Sequence, residues 1–345
     1  MFKSVVLYAG FVIMFFGVDM RLLFSALTGV LVAGLIFAAM VFVSWNPQHK
    51  VLLSVSVGGD RNDLLRLEGP RGVVYEWIGP PSKCTLNVTL SAFVQPPGLG
   101  SEADLTIALT SNLNYSEIFY VSANMSSPSE LIESFRQQFP GTVKFVDGGS
   151  GWLWVGSFEP NETKSFSHRI KATGVGTADL FIEATTELKQ VTPGSGEYRR
   201  EHQEVELQFV MVPDNVLVHT SIPYLEPRLA LLPIDLMDLD YNWSLYRGLG
   251  SEFNASIRLF GGNATNVTAK LVMQDGIVLV EGQRVWVFNL TSWDDEVRFT
   301  AKLRFVQTGA WFMYAYVEKD GIILGRPNAI KFVVSEDNMM IYRLY

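Results

Sequence analysis

From residue 50 onward, apolar and polar side chains alternate. Leu86, Val88 and Leu90 are separated by Asn87 and Thr89, and Leu105, Ile107 and Leu109 by Thr106 and Ala108. Leu207, Phe209 and Met211 enclose Gln208 and Val210 in the same way. A period of two sends successive side chains to opposite faces, so each run predicts a strand with one buried face. Gly, Pro and Asn clusters punctuate the runs, and Thr, Val and Phe are frequent, as a mainly β chain requires. One stretch breaks the pattern. In SPSELIESFRQQF (127–139), Ser127 caps, Pro128 takes the first helical position and Glu130 completes a capping box. Leu131, Phe135 and Phe139 then recur every four residues. The spacing predicts one amphipathic helix over 128–139, laid on its own domain.

The strand pattern repeats. WLWVGSFEPNETKSFSHRIKATGVGTADLFIEA (152–184) aligns without a gap on VWVFNLTSWDDEVRFTAKLRFVQTGAWFMYAYV (285–317), at an offset of 133. Phe166 meets Phe299, Ile170 meets Leu303 and Gly176 meets Gly309. Basic residues correspond as well, Arg169 with Lys302 and Lys171 with Arg304. Upstream, ADLTIALTSN (103–112) matches NASIRLFGGN (254–263) at an offset of about 151, which places an insertion of about 17 residues, with the predicted helix, in the first copy. The reading is two tandem antiparallel β-sandwiches, 50–212 and 249–338. A Pro-rich connector spans 213–248, with Pro213, Pro223, Pro227 and Pro233, and a short apolar tail, 339–345, closes the chain.

The first 46 residues have a different composition. Residues 22–45 carry no charge, and as a helix would be about 36 Å long, enough to cross a bilayer. Trp45 ends the run where an interfacial anchor belongs. A shorter apolar run, 4–18, precedes it, and Asp19 and Arg21 lie between. Three readings fit: a hairpin of two helices, one long helix with a charged break, or a start at Met20 that makes the second run a signal-anchor. Each makes 1–46 a membrane anchor, single-pass or hairpin.

Asn-x-Ser/Thr triplets settle which side the rest faces. There are nine, at Asn87, Asn114, Asn124, Asn161, Asn242, Asn254, Asn263, Asn266 and Asn289, in a chain with only fifteen Asn. Chance would supply about two, and such a triplet is an acceptor for N-linked glycans on exposed loops of exported chains. None lies in the first 50 residues. The expectation is a glycoprotein whose bulk, 46–345, is extracellular. A single cysteine, Cys84, allows no intrachain disulfide. Many acceptors without disulfides fit an archaeal envelope better than a eukaryotic secreted domain. With a net charge of −8 and no Lys/Arg cluster, nucleic acid is not an expected partner.

No catalytic pattern is visible, and an enzyme is not expected. His49, His168, His202 and His219 show no local metal-ligand spacing. His168 falls on the inward face of its strand. Asp235, Asp238 and Asp240 are a weak candidate calcium cluster, since Leu236, Met237 and Leu239 interleave and no EF-hand pattern surrounds them. Trp152 and Trp154 project the same way from one strand, and Trp286, Trp293 and Trp311 lie in the second copy. They are core aromatics in the first reading and a carbohydrate-binding platform in the second. No cofactor is expected.

The run EPNETKSFSHRIKATGVGTADLFIEA (159–184), an aromatic strand followed by a Pro-x-Glu-Thr turn, an apolar strand, a Gly turn and a second apolar strand, resembles immunoglobulin-like β-sandwich repeats of archaeal and bacterial surface proteins, of the adhesion-related CARDB type. The likeness covers 85–212 and, more loosely, 252–335, where SWDDEV replaces the turn. It implies an immunoglobulin-like sandwich with a structural or adhesive role at the cell surface. Protein partners, or self-assembly at that surface, are expected with it. An accessory ectodomain of a multi-subunit membrane complex is the alternative.

Overall fold

The computed structural model describes residues 50–58, 63–79, 82–94, 97–126, 143–190, 196, 198–220, 228–233, 248–262, 264–292 and 295–344. The expected membrane segment, the helix over 128–139 and the aspartate cluster lie outside them. No helix among the described residues is long and apolar enough to cross a membrane. All the regular elements described are strands, in antiparallel sheets, as alternation predicts.

Val51–Tyr345 form one compact unit. Its first sandwich begins with β1 (Val51–Gly58), β2 (Asp63–Gly69), β3 (Gly72–Gly79), β4 (Cys84–Ser91) and β5 (Glu102–Ser111). There follow β6 (Glu117–Ser126), β7 (Val143–Phe145), β8 (Gly151–Phe158), β9 (Thr163–Ala172) and β10 (Gly176–Thr186). A small ribbon, β11 (Lys189–Gln190) with β12 (Tyr198–Arg199), precedes β13 (His202–Val212) and β14 (Asn215–Thr220). A seven-stranded sheet of order β3-β2-β1-β4-β5-β9-β7 packs on a five-stranded one of order β14-β13-β10-β6-β8.

The second sandwich contains β15 (Arg228–Pro233), β16 (Glu252–Phe260), β17 (Ala264–Met273), β18 (Ile277–Glu281) and β19 (Val285–Leu290). It closes with β20 (Glu296–Phe305), β21 (Gly309–Lys319), β22 (Ile322–Val334) and β23 (Met339–Leu344). Its sheets run β15-β16-β20-β18 and β19-β17-β21-β22-β23. Two stretches of the expected connector are thus strands: β14 pairs with β13, and β15 pairs with β16 and ends on Pro233, a position that an edge strand tolerates. The apolar tail pairs within its own sandwich, as β23 on β22.

The repeat is visible in the ladders, with two shifts of frame. β9 and β10 map onto β20 and β21 at an offset of 133 from end to end. In β8 and β19 the offset is 132: Trp154 lies opposite Val121, and Trp286 lies opposite the equivalent Ala269. The gapless alignment therefore fails by one residue, in the turn before β9 and β20. In β5 and β16 the offset is 150, not 151, because Glu102 pairs with Lys171 and Glu252 with Arg304. An offset of 151 would set buried Ala103 against outward Asn254. One residue of slip exchanges the faces of a strand, so ladder register decides what similarity along the sequence could not. The longer first copy receives its extra residues mainly between β6 and β7, where the second copy turns from Met273 to Ile277.

The cores differ in filling. In the second sandwich Phe253, Phe305 and Phe332 form a cluster, with ring centroids 4.9, 5.5 and 5.2 Å apart. Their counterparts in the first are Ala103, Ala172 and Phe209, and there Phe93 packs edge-on against Phe209 at 6.5 Å. Between the sandwiches, Val210, Val212 and Leu217 meet Phe312, Tyr314, Ala329 and Leu344 in a separate apolar cluster. The Nδ2 of Asn215 donates to the Tyr314 hydroxyl at 3.3 Å. Gly69, at the tip of the β2–β3 hairpin, has no room for a Cβ, since Ile322 of the second sandwich fills that space.

Candidate functional site

Seven of the nine acceptor asparagines are described, and the fold sorts them by exposure. Asn114 sits in the β5–β6 loop and Asn161 in the β8–β9 turn, with φ 58°; both are exposed. These loops share one end of the sandwich, where the Ser116 hydroxyl donates to Glu159 at 2.6 Å. Asn266 is exposed at a bulge in β17, with φ 52°, and its N–H donates to the Asn289 Oδ1 at 2.6 Å. Asn289 is exposed on β19, and Asn124 on β6. Asn87 and Asn254 are half-buried. Asn242 and Asn263 lie outside the described residues.

The opening of the second copy, 254–268, carries three of the triplets and runs through β16 into β17. The ladders place β16 between β15 and β20, and β17 between β19 and β21, so both strands are internal. β15, from the expected connector, covers what would otherwise be the free edge of β16.

Asn87 and Asn254 have different surroundings although both are on inner strands. The outer face of the seven-stranded sheet carries rows of small side chains. Ser54, Thr89, Thr106 and Ser167 form one row, and Ser56, Asn87, Ala108 and Ser165 the next. Thr85, Thr110 and Thr163 continue it, with a 2.8 Å hydrogen bond between the last two hydroxyls. Asn87 therefore stands among neighbours too small to cover it. Asn254 faces Lys302 instead, on a sheet whose outer side carries Arg258, Glu296, Arg298 and Arg304.

Each sandwich has the same charge clamp. Glu102 bridges Arg169 and Lys171, at 3.7 and 3.3 Å. Glu252 bridges Lys302 and Arg304, at 2.6 and 3.8 Å. The basic members were legible in the repeat, and their acidic partners were not, being 50 or more residues away. The Lys302 ammonium holds the Glu252 carboxyl below the usual carboxylate range.

Trp152, Trp154, Trp286 and Trp311 pack on the core. Trp152 and Trp154 lie against Phe166, at 4.9 and 5.1 Å between centroids, and Trp286 stacks on Phe299 at 5.1 Å. Trp154 lies over Gly156, which leaves space for its ring; Phe288 takes the corresponding position in the second copy. Trp311 packs on the core and donates Nε1–H to the Gln307 carbonyl at 2.9 Å. Trp293 is outside the described residues. His168 is on the inward face, between Phe145 and Trp152, and its Nε2 has no hydrogen-bond partner. Burial lowers its pKa, against a smaller opposing pull from Asp147. Cys84 is fully buried. Among the described residues no group of three His, Cys, Asp or Glu is arranged to hold a metal ion.

Sequence reading missed one surface feature. On β8, while the tryptophans point inward, Leu153 and Val155 point out and are 63 % and 48 % exposed. On β19 the equivalent residues, Val285 and Val287, are 49 % and 67 % exposed. The signal was present: WLWV and VWVF are apolar at every position, so both faces of the strand are apolar. β8 and β19 each end the order of their sheet.

No family model matches the chain, and no curated protein matches it. A solved structure, red sea bream transglutaminase, aligns with 7 % identity and a TM-score of 0.23. The alignment covers 81 % of this chain and 40 % of that one. A likeness of that size carries neither fold nor function across. What the structure defines by itself is a mainly β, antiparallel, sandwich-type chain.

Proposed function

We propose that this chain is a membrane-anchored extracellular glycoprotein with a structural or adhesive role in a cell envelope. Its working part is a pair of packed sandwiches of the immunoglobulin-like, CARDB-related kind, held outside an archaeal membrane by residues 1–46. The observation that carries the reading is the exposure of Asn114, Asn124, Asn161, Asn266 and Asn289. Exposure makes these asparagines accessible to a glycosyltransferase, and none of the seven described is fully buried. The flat hydroxyl face around Asn87 and the apolar interface between the sandwiches suit a load-bearing or contact role.

The test is glycopeptide and intact-mass spectrometry on protein from native membranes. Sugars on the exposed asparagines, with an intact N-terminal segment, are expected. Bare asparagines throughout would sink the proposal and turn the chain's sandwiches toward the cytoplasm.

An accessory ectodomain in a membrane complex is the second reading, favoured by the apolar 1–46 segment, longer than one span needs. Purification in mild detergent distinguishes the two: co-isolated subunits at fixed stoichiometry support the complex, and this chain alone supports the envelope role. A carbohydrate-binding role would need an exposed aromatic platform, and Trp152, Trp154, Trp286 and Trp311 pack on the core.

A further inference from the structure

Exposed apolar residues at the ends of two sheets need a reason, because strips of this kind invite strand-to-strand association. Here they occur twice, at equivalent places. Leu153 and Val155 on β8 match Val285 and Val287 on β19. Repetition at equivalent positions, in copies whose outer faces otherwise share little beyond the charge clamp, argues against accident.

Each strip has an acceptor asparagine on the same outward face. Beside β8 it is Asn124 of β6, whose direct neighbours are Gly151 on one side and Phe181 on the other. A Cβ at Gly151 would lie 2.5 Å from the Asn124 Oδ1, so the missing side chain is what lets Asn124 lean over β8. Its Nδ2 makes only a long hydrogen bond, 3.5 Å, to the Ser122 hydroxyl. The diagonal neighbour across the ladder is Leu153, at about 7–8 Å between backbones. On β19 the asparagine is Asn289, two residues from Val287 on one face of one strand. Its Oδ1 is held by the Asn266 N–H at 2.6 Å. That is the amide atom a sugar leaves unsubstituted, so the contact is compatible with linkage at Nδ2.

We infer that N-linked glycans on Asn124 and Asn289 cover the two apolar strips and keep β8 and β19 from pairing with neighbouring copies. The inference rests on the proposed extracellular glycoprotein. In the modification, Nδ2 attacks the anomeric carbon of a lipid-diphosphate-linked oligosaccharide. The C1–Nδ2 bond forms as the C1–O bond to diphosphate breaks, the lipid diphosphate leaves, and one amide proton is lost to a base. The first sugars then lie within reach of the strip, with their C–H faces on Leu153, Val155 and Phe181, or on Val285 and Val287. Apolar area is removed from water without a second protein.

The test uses the full chain in its native membrane. Site occupancy is mapped first. Then a Val155→Cys variant is oxidised and its disulfide-linked dimer quantified, with buried Cys84 unable to compete. Adding Asn124→Gln, or Ser126→Ala, which keeps the asparagine and removes only the triplet, is expected to raise the dimer fraction severalfold. Asn87→Gln, on the outer face of the other sheet, is the control and leaves it unchanged. Val287→Cys with Asn289→Gln is the parallel pair; Thr291 is left intact there because its hydroxyl also donates to Asp295. Occupied Asn124 and Asn289, with dimer rising only on their loss, supports the inference. Sugars elsewhere but none on these two, or dimer fractions that follow the control, overturn it and leave the glycoprotein reading standing. No sugar on any asparagine overturns both.

Discussion

The two sandwiches share ladders, a charge clamp and an aromatic pair on β8 and β19, yet their outer faces have little in common. In the first, Ser54, Thr89, Thr106 and Ser167 cross the sheet in one row, without charge. In the second, the Arg298 Nε–H donates to the Ser256 hydroxyl at 2.9 Å, and Arg258 pairs with Glu296 at 2.8 Å while lying over the Phe260 ring. Alternation constrains only the inward half of each strand, because only that half must fill a core. The outward half was free to become a hydroxyl face in one copy and a cationic one in the other. Equal folds with unequal faces mean that the two copies present different surfaces to their surroundings.

The comparison breaks most sharply at the core. Phe305→Ala in the second sandwich is expected to cost about 3–5 kcal/mol, because the cavity opens beneath Phe253 and Phe332. Ala172→Phe, the reverse exchange in the first sandwich, should cost about 1–3 kcal/mol by overpacking. Denaturant unfolding of both variants gives the answer; an equal, small effect would mean the cores are not the unlike fillings described.

Next comes the joint. Tyr314→Phe removes the hydrogen bond from Asn215 and should cost about 1 kcal/mol. Burial pushes the Tyr314 phenol up to about 12. Its folded pKa exceeds the ordinary 10.0, so its stabilising share is intact below that pH and is lost as pH rises through about 12. Ultraviolet titration of wild type against Tyr314→Phe should show one late phenol disappearing.

A smaller effect separates the copies in acid. The His168 pKa lies below its ordinary 6.5 owing to burial, and Ala301 occupies the equivalent place in the second sandwich. Stability from neutral His168 is present above 6.5 and lost as pH falls through the lowered value. Hydrogen exchange should quicken in β9 but not in β20 on mild acidification, and His168→Ala should abolish the difference. Equal responses in both strands would remove His168 as the cause.

The clamps should matter least, since both are solvent-screened. With the Glu252 carboxyl lowered by Lys302, its contribution is present above the ordinary carboxylate value of 4.5 and fades as pH falls through the lowered one. Glu252→Gln and Glu102→Gln should give small changes that vanish in high salt. A salt-insensitive loss in either would show that the clamp acts through packing.

Much of this was legible along the chain. The strands, the correspondence of β9 with β20 and β10 with β21, and the inward His168 all followed from period-two alternation and the repeat. Three things were not. The turn before β9 and β20 differs by one residue, and a gapless alignment set Trp154 against Val287 when its partner in the fold is Trp286. β14 and β15 lay in a stretch that four prolines marked as connector, yet two six-residue runs found ladders there. Exposure of Leu153 and Val155 depended on which strand ended the sheet.

What the sequence by itself determined is the local alphabet: where strands run, which of their faces is apolar, and which asparagines are candidate acceptors. Those properties belong to residues within two or three positions of one another, where backbone pleat and side-chain chemistry suffice. Only the tertiary structure decided neighbours across strands. It set Glu252 between Lys302 and Arg304, placed Gly151 beside Asn124, and put β8 and β19 at the ends of their sheets. Register and strand order come from burying all inward faces at once. That condition is met by the whole chain and by no segment of it.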